Sequence, residues 1–246
     1  MKSLLLPQKT STAPHTTLSK GSSTNINAGR RSRVRERLLN AKLGSLYDYE
    51  ILEMFLYLSI PRRDVKPLAK KLLHDFKTLA CIVNTTPGEL AKITGIGSNT
   101  VANLKLLREI IHRINKEEIY KTNAINNRES LIKFLRSSVG FQTNENIHIL
   151  YLNSKNHLID DEIIDYGTAN KITLYPREVV KKALDTNATA VIICHNHPSG
   201  DTTPSRADIL MTKNLESALQ AVDVILHDHV IISPSNYFSF RNKKLI

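Results

Sequence analysis

The 246-residue chain reads as an α+β (α/β) protein, a small all-helical domain followed by a domain built on a mixed sheet. Two observations predict this. Before about Gln142 apolar residues recur every three or four positions and no segment alternates as a strand does. After it the period shortens to two in several stretches rich in Ile, Val and Tyr, with helical stretches between them. Strands and helices interleaved in this way belong to one mixed layer structure.

Residues 1–28 hold few apolar side chains and many Ser, Thr and basic ones, so they read as a disordered basic arm. They lack both the apolar core of a secretory signal and a clear amphipathic period. Residues 29–120 form the helical domain. In "RRSRVRERLLNA" charged residues flank Val34, Leu38 and Leu39, and "DYEILEMFLYLSI" is apolar at helical spacing until Pro61. "VKPLAKKLLHDF" repeats that signature. In "TTPGELAKITGIGSNTVANLKLLREII" Thr86 caps a helix opened by Pro87, and Glu89 completes a capping box. The helix stops at Thr94-Gly95-Ile96-Gly97, and another starts from Ser98 or Asn99.

"NAINNRESLIKFLRSSVG" is a polar linker leading into a helix from about Ser130 to Ser138, and the second domain spans 125–246. "NIHILYLN", "HLIDDEIIDYG", "KITLYP", "AVIICH" and "VILHDHVIIS" are its expected strands. "PREVVKKALDTN" and "SRADILMTKNLESALQAV" are its expected helices, the first with Pro176 in its opening turn and Glu178 soon after.

The net charge of +11 is weighted toward the front of the chain and points to an anionic partner such as nucleic acid. No apolar run approaches the roughly 20 residues of a membrane span, so a soluble protein is expected. Cys81 and Cys194 lie far apart in apolar settings, which suggests no disulfide framework and a reducing, cytoplasmic compartment.

The most informative stretch is "AVIICHNHPSGDTTPSRADIL". Alternation puts His195 and His197 on one side of a strand end, with Cys194 and Asn196 on the other. Catalytic zinc takes three protein ligands and keeps a fourth position for water, so one more ligand is needed. Pro198, Gly200 and Pro204 confine the loop, and Asp208 falls in the first turn of the next helix, where it can supply that ligand. Ser205-x-x-Asp208 is also a capping signature, and a carboxylate can cap with one oxygen while it ligates with the other. Cys194, facing away, is expected to pack. "HDH" at His227–His229 repeats the spacing, but Asp228 points away, so these residues are expected to pack or to orient the first site.

Two short helices joined by Gly95-Ile96-Gly97 resemble the helix-hairpin-helix module, in which hairpin amides and a helix N-terminus bind a DNA phosphate without reading sequence. Lys92 and Lys105 would add positive charge; the alternative is a tight turn that only packs. "HNHPSGDTTPSRAD" fits the H-x-H-x7-S-x2-D pattern of the JAMM (JAB1/MPN) metalloproteases. With "GTANKITLYPREVVKKAL" before it and "LHDHVIIS" after it, the domain resembles the RadC branch of that superfamily, and the helical region from Arg30 is similar to the RadC N-terminal region.

The resemblance implies a mixed-sheet MPN (JAB/JAMM, cytidine-deaminase-like) fold, with one Zn2+ per chain held by His195, His197 and Asp208. Ser205 becomes the oxyanion donor, and a Glu upstream takes the proton from water. Glu178, Glu162 and Glu145 are the candidates for that role; Glu145, just before the first strand, stands where the superfamily places it. The implied activity is zinc-dependent hydrolysis of an amide or isopeptide bond in a peptide or protein substrate, with DNA as a candidate partner of the helical domain. The alternative is a non-catalytic DNA-repair accessory or nucleic-acid-binding protein that keeps the metal-bound domain as a scaffold. A nuclease is disfavoured, because nucleases more often use two metals and several carboxylates.

Overall fold

The computed structural model describes residues 23–165 and 174–246. The first helix, α1 (Ser23–Asn40), begins inside the stretch expected to be disordered; residues 1–22 lie outside the described part. α2 (Asp48–Leu56) and α3 (Lys66–Phe76, Pro67 in its first turn) follow. α4 (Leu79–Asn84) was not anticipated, although Thr78 caps it by accepting from the Cys81 amide at 3.1 Å. α5 (Pro87–Ala91) carries the expected Thr86–Glu89 capping box. α6 (Ser98–Lys121) is the longest helix among the described residues, at 24 residues.

Leu52, Leu56, Val65, Leu72, Ile82, Leu90 and Leu104 form the core of this half. α1 is fastened to it by Arg30, whose Nε and second guanidinium nitrogen reach the two carboxylate oxygens of buried Glu53 at 2.6 and 2.8 Å. Such a two-point clasp is the geometry in which a buried carboxylate is tolerated.

α7 (Arg128–Ser138), capped by Asn127, leads into a five-stranded sheet. Its strands are β1 (Asn146–Leu152), β2 (Leu158–Asp165), β3 (Ala190–Asn196), β4 (Ile225–Ile232) and β5 (Tyr237–Ser239). The order is β2-β1-β3-β4-β5, with β3 and β4 parallel and the other neighbours antiparallel. β5 was not foreseen. The "KITLYP" strand falls largely outside the described residues, and Leu174 and Tyr175 are not in a strand.

Both faces of the sheet are covered, which is why β1 and β3 are buried along their whole length. On one face Leu150, Leu152, Ile192, Cys194, Val230 and Ile232 pack against Phe134 and Leu135 of α7 and Ile119 at the end of α6. On the other, Ile149, Tyr151, Val191 and Ile193 meet α8 (Pro176–Asp185) and α9 (Arg206–Gln220). α6 thus contributes Leu104 to the helical core and Ile119 to the sheet core. Near its end, Lys116 Nζ and the Tyr120 hydroxyl approach Asp161 Oδ1 at 2.8 and 3.0 Å, while His148 Nε2 lies 3.0 Å from Asp161 Oδ2. Burial alone would push the Asp161 carboxyl up, but His148 and Lys116 hold it well below the usual carboxylate range.

Candidate metal centre

β3 delivers the histidines as alternation requires. His195 lies on the face that carries Val191 and Ile193, while Cys194 is buried in the opposite core. His197 is one residue past the strand, yet its amide donates to Ile232 O at 3.0 Å, so the strand path continues through it. The loop then turns at Gly200, whose φ of +89° lies in the left-handed region that glycine enters without strain. The Gly200 amide bonds back to His197 O, and the Asp201 carbonyl comes within 2.6 Å of His197 Nδ1.

α9 opens with the expected capping box, and the same turn brings the Asp208 carboxylate to the two histidines. Ser205 Oγ accepts from the Asp208 amide at 3.1 Å, and Asp208 Oδ2 accepts from the Ser205 amide at 2.7 Å. The same carboxylate lies 3.4 Å from His195 Nε2 through Oδ1 and 3.7 Å from His197 Nε2 through Oδ2, and the two Nε2 atoms are 3.0 Å apart. One carboxylate therefore both caps the helix and faces the two imidazoles.

The chemistry of this donor set fits zinc. A carbonyl only accepts, so His197 Nδ1 must carry its proton toward Asp201 O, which leaves the lone pair of the neutral ring on Nε2. Tetrahedral zinc with bonds of about 2.0–2.1 Å spaces its ligand atoms about 3.3–3.4 Å apart. The Nε2 pair at 3.0 Å and the His195 Nε2–Asp208 Oδ1 pair at 3.4 Å lie near that spacing, and the other carboxylate oxygen is 3.7 Å from His197 Nε2. Among the described residues, this is the group of His, Cys, Asp or Glu donors close enough to share an ion.

Electrostatics follow burial. Desolvation pushes His195 down to about 4, keeping it neutral. His197 is raised by the facing Asp208 carboxylate. Burial would raise Asp208, but His197, His195 and the Ser205 bonds outweigh it and hold the carboxyl below its ordinary range.

Of the three glutamates, Glu145 stands beside the histidines. β1 and β3 pair Ile147 with His195, so continuing the register by two residues sets exposed Glu145 across from His197, and its charge acts on that ring. Glu162 accepts from the Tyr151 hydroxyl, and Glu178 sits exposed in the first turn of α8 beside Arg177.

Sequence reasoning missed Asn196, the central residue of His-Asn-His. Fully buried, it accepts from the Asn146 amide at 2.8 Å through Oδ1 and donates through Nδ2 to Gln142 O and Asn144 O at 3.1 and 3.0 Å. Both neighbours of Glu145 are thus tied to the strand that carries the histidines. The available signal was a carboxamide on the face that otherwise reads Ala190, Ile192, Cys194.

The "HDH" stretch departs from simple alternation. Val191 pairs with Leu226 but Ile192 with Asp228, so His227 is a bulge residue and the two histidines do not act as a pair. His229 reaches the face that carries His195, whereas Asp228 turns to the other side and accepts from Arg128, Ser239 and the Arg241 amide.

At the Gly95-Ile96-Gly97 turn, Gly95 has φ +97° and Ile96 is buried, so only the backbone of the turn can meet a ligand. Gly97 is the N-cap of α6, and its carbonyl accepts from the Thr100 and Val101 amides at 3.0 and 3.1 Å, so the Ser98 and Asn99 amides stand outside that ladder. Lys105 Nζ donates to Thr85 O at 2.8 Å, which directs its ammonium to the end of α4. The Arg63 guanidinium, which a Cβ on Gly95 would meet at 3.6 Å, is a further cation at the turn.

A helical half followed by a mixed sheet that presents two histidines and an aspartate defines a protein of the JAB/MPN class, and residues 125–245 match the RadC-like JAB domain family. Residues 27–102 match the UPF0758 N-terminal family. The chain belongs to the UPF0758 family. It is 38% identical over 227 residues to a UPF0758 protein of Fusobacterium nucleatum subsp. nucleatum, covering 89% of this chain and 98% of that protein. A UPF0758 protein of Ruegeria pomeroyi is 41% identical over 211 residues, 86% of this chain and 94% of its own length. One from Rhodobacter capsulatus is 38% identical over 213 residues, 87% of this chain and 100% of its own length. No helix among the described residues is long and apolar enough to cross a membrane.

Proposed function

We propose that the chain is a zinc-dependent metallopeptidase that hydrolyses an amide or isopeptide bond in a peptide or protein substrate. The observation that carries this reading is the convergence of His195 Nε2, His197 Nε2 and the Asp208 carboxylate. These three would hold one Zn2+ per chain. When bound, zinc acidifies water and polarises a carbonyl. Glu145, held opposite His197 by its pinned neighbours, takes the proton of the attacking water on its carboxylate and returns it to the leaving nitrogen. Ser205 Oγ receives the Asp208 amide on a lone pair, so its own O–H is available to the oxyanion that develops on the scissile carbonyl.

For the helical half we propose contact with the phosphates of duplex DNA at the Gly95–Gly97 turn. The N-terminal amides of α6 and the nearby Arg63 guanidinium support it.

Elemental analysis of the purified protein tests the first reading, with about one zinc per chain expected and its loss in a folded His197→Ala variant. Full retention of zinc in that variant would sink the ligand assignment. Peptide-library profiling of wild type beside Glu145→Ala tests the chemistry: cleavage should vanish in the variant while zinc stays. Zinc without cleavage of any peptide in the wild type would favour the non-catalytic scaffold instead.

A further inference from the structure

We infer that Thr212 and His229 are positioning residues that fix the tautomer of His195, so that its Nε2 lone pair faces the metal. The inference deepens the metal-centre reading, and the chain of donors behind it can be followed atom by atom. Thr212 stands one turn after Asp208 in α9, and its hydroxyl donates to the Asp208 carbonyl at 2.6 Å. That bond uses the only hydroxyl proton. His229 Nδ1 also lies 2.6 Å from Thr212 Oγ1, so it must be the donor there. A neutral His229 then has its lone pair on Nε2, and Nε2 lies 2.8 Å from His195 Nδ1. His195 Nδ1 must therefore carry a proton, and the neutral His195 ring is left with Nε2 free toward Asp208 and His197.

The arrangement closes a ring through three elements. Asp208 starts it on α9, Thr212 and His229 carry it to β4, and His195 on β3 returns it to the Asp208 carboxylate. The backbone of one ligand thereby sets the ring of another. Thr212, His229 and His195 are all buried, so water does not compete for these bonds. The His229 ring is further held by Phe240, stacked at 4.4 Å between centroids and 17° between planes. The bulge at His227 makes the arrangement reachable, because it shifts the phase of β4 and turns His229 onto the His195 face.

A threonine hydroxyl bonded to the carbonyl four residues back is common in helices and needs no functional reason. What separates a relay from packing is the dependence of the tautomer on that hydroxyl. Valine keeps the shape of Thr212 and removes the acceptor. The His229 proton would then move from Nδ1 to Nε2 and be donated to His195 Nδ1, forcing the His195 proton onto Nε2, where it blocks ligation.

The test is nitrogen-15 NMR of the imidazoles at neutral pH in metal-free full-length wild type, Thr212→Ser and Thr212→Val, with zinc affinity measured by chelator competition. Expected are Nδ1–H tautomers for His195 and His229 in wild type and in Thr212→Ser. In Thr212→Val both should switch to Nε2–H, with zinc affinity lower by about 10- to 100-fold. An Nε2–H His195 in wild type overturns the inference without any variant. So does a Thr212→Val protein with unchanged tautomers and affinity within about threefold of wild type. A wild type that binds no zinc but shows the expected tautomers and switch would instead refute the metal-centre reading and leave the relay standing.

Discussion

Replacing Asn196 by alanine should separate the placement of Glu145 from the binding of metal. The Asn196 carboxamide is fully buried and makes three bonds, one from the Asn146 amide and two to Gln142 O and Asn144 O. A typical hydrogen bond contributes about 1 kcal/mol net, and a buried group left without a partner costs about 1–3 kcal/mol. The Asn146 amide has no route to water, since its residue is buried, and bears the larger penalty. Asn144 is exposed and Gln142 half-buried, so solvent can reach their carbonyls once the side chain is gone. The sum is a loss of about 2–4 kcal/mol, which lowers a urea midpoint by roughly 1 M for a slope near 3 kcal/mol/M. Urea unfolding of metal-free protein followed by circular dichroism reads this directly. Zinc content should stay at the wild-type level, because no ligand is touched, while hydrolysis should fall as far as it does in Glu145→Ala. A destabilisation under about 0.5 kcal/mol, or zinc lost in parallel with activity, would show that Asn196 does not hold the 142–146 segment for Glu145.

Three further outcomes follow from the structure. Zinc at a hundredfold excess over its dissociation constant should stabilise wild type by about 2.7 kcal/mol and leave Asp208→Asn unmoved; equal thermal shifts in the two proteins would contradict the site. The folded-state pKa of Asp161 is depressed, so its contribution is fully present above the unfolded carboxylate value and disappears as pH falls through the folded one. Asp161→Asn should accordingly cost most stability near pH 7 and progressively less below about pH 4, as read by urea midpoints across pH; a penalty that grows with acid would refute the pairing with Lys116 and His148. Gly95→Val forces a β-branched residue to φ +97°, which should cost about 1–2 kcal/mol and weaken salt-sensitive duplex DNA binding in fluorescence anisotropy. Unchanged binding at two salt concentrations would place DNA elsewhere.

The convergence of His195, His197 and Asp208 was legible because strand alternation and capping geometry are local rules. His195 and His197 must share a face two residues apart, and Ser205-x-x-Asp208 must start a helix, whatever the rest of the fold does. The capping box at Thr86 and the periods of α2, α3 and α9 were readable for the same reason. What escaped depends on contacts distant in sequence. Asn196 bonds backbone groups some fifty residues away, and Thr212 meets His229 only because α9 lies against β4. The bulge at His227 breaks the alternation on which the "HDH" reading relied. β5 is three residues long, too short to show a period, and the use of Lys105 on Thr85 reflects packing that spacing does not record.

α6 has a mechanical consequence of its own. Its 24 residues form a rod about 36 Å long, rooted by Leu104 in one core and by Ile119 in the other. Severing the chain near residue 122 would strip an apolar plug from the sheet half and leave Leu131, Leu135 and Leu158 with a wetted seam. The two halves should therefore melt in one transition, and a load applied at the Gly95–Gly97 end of the rod would be felt beneath the sheet.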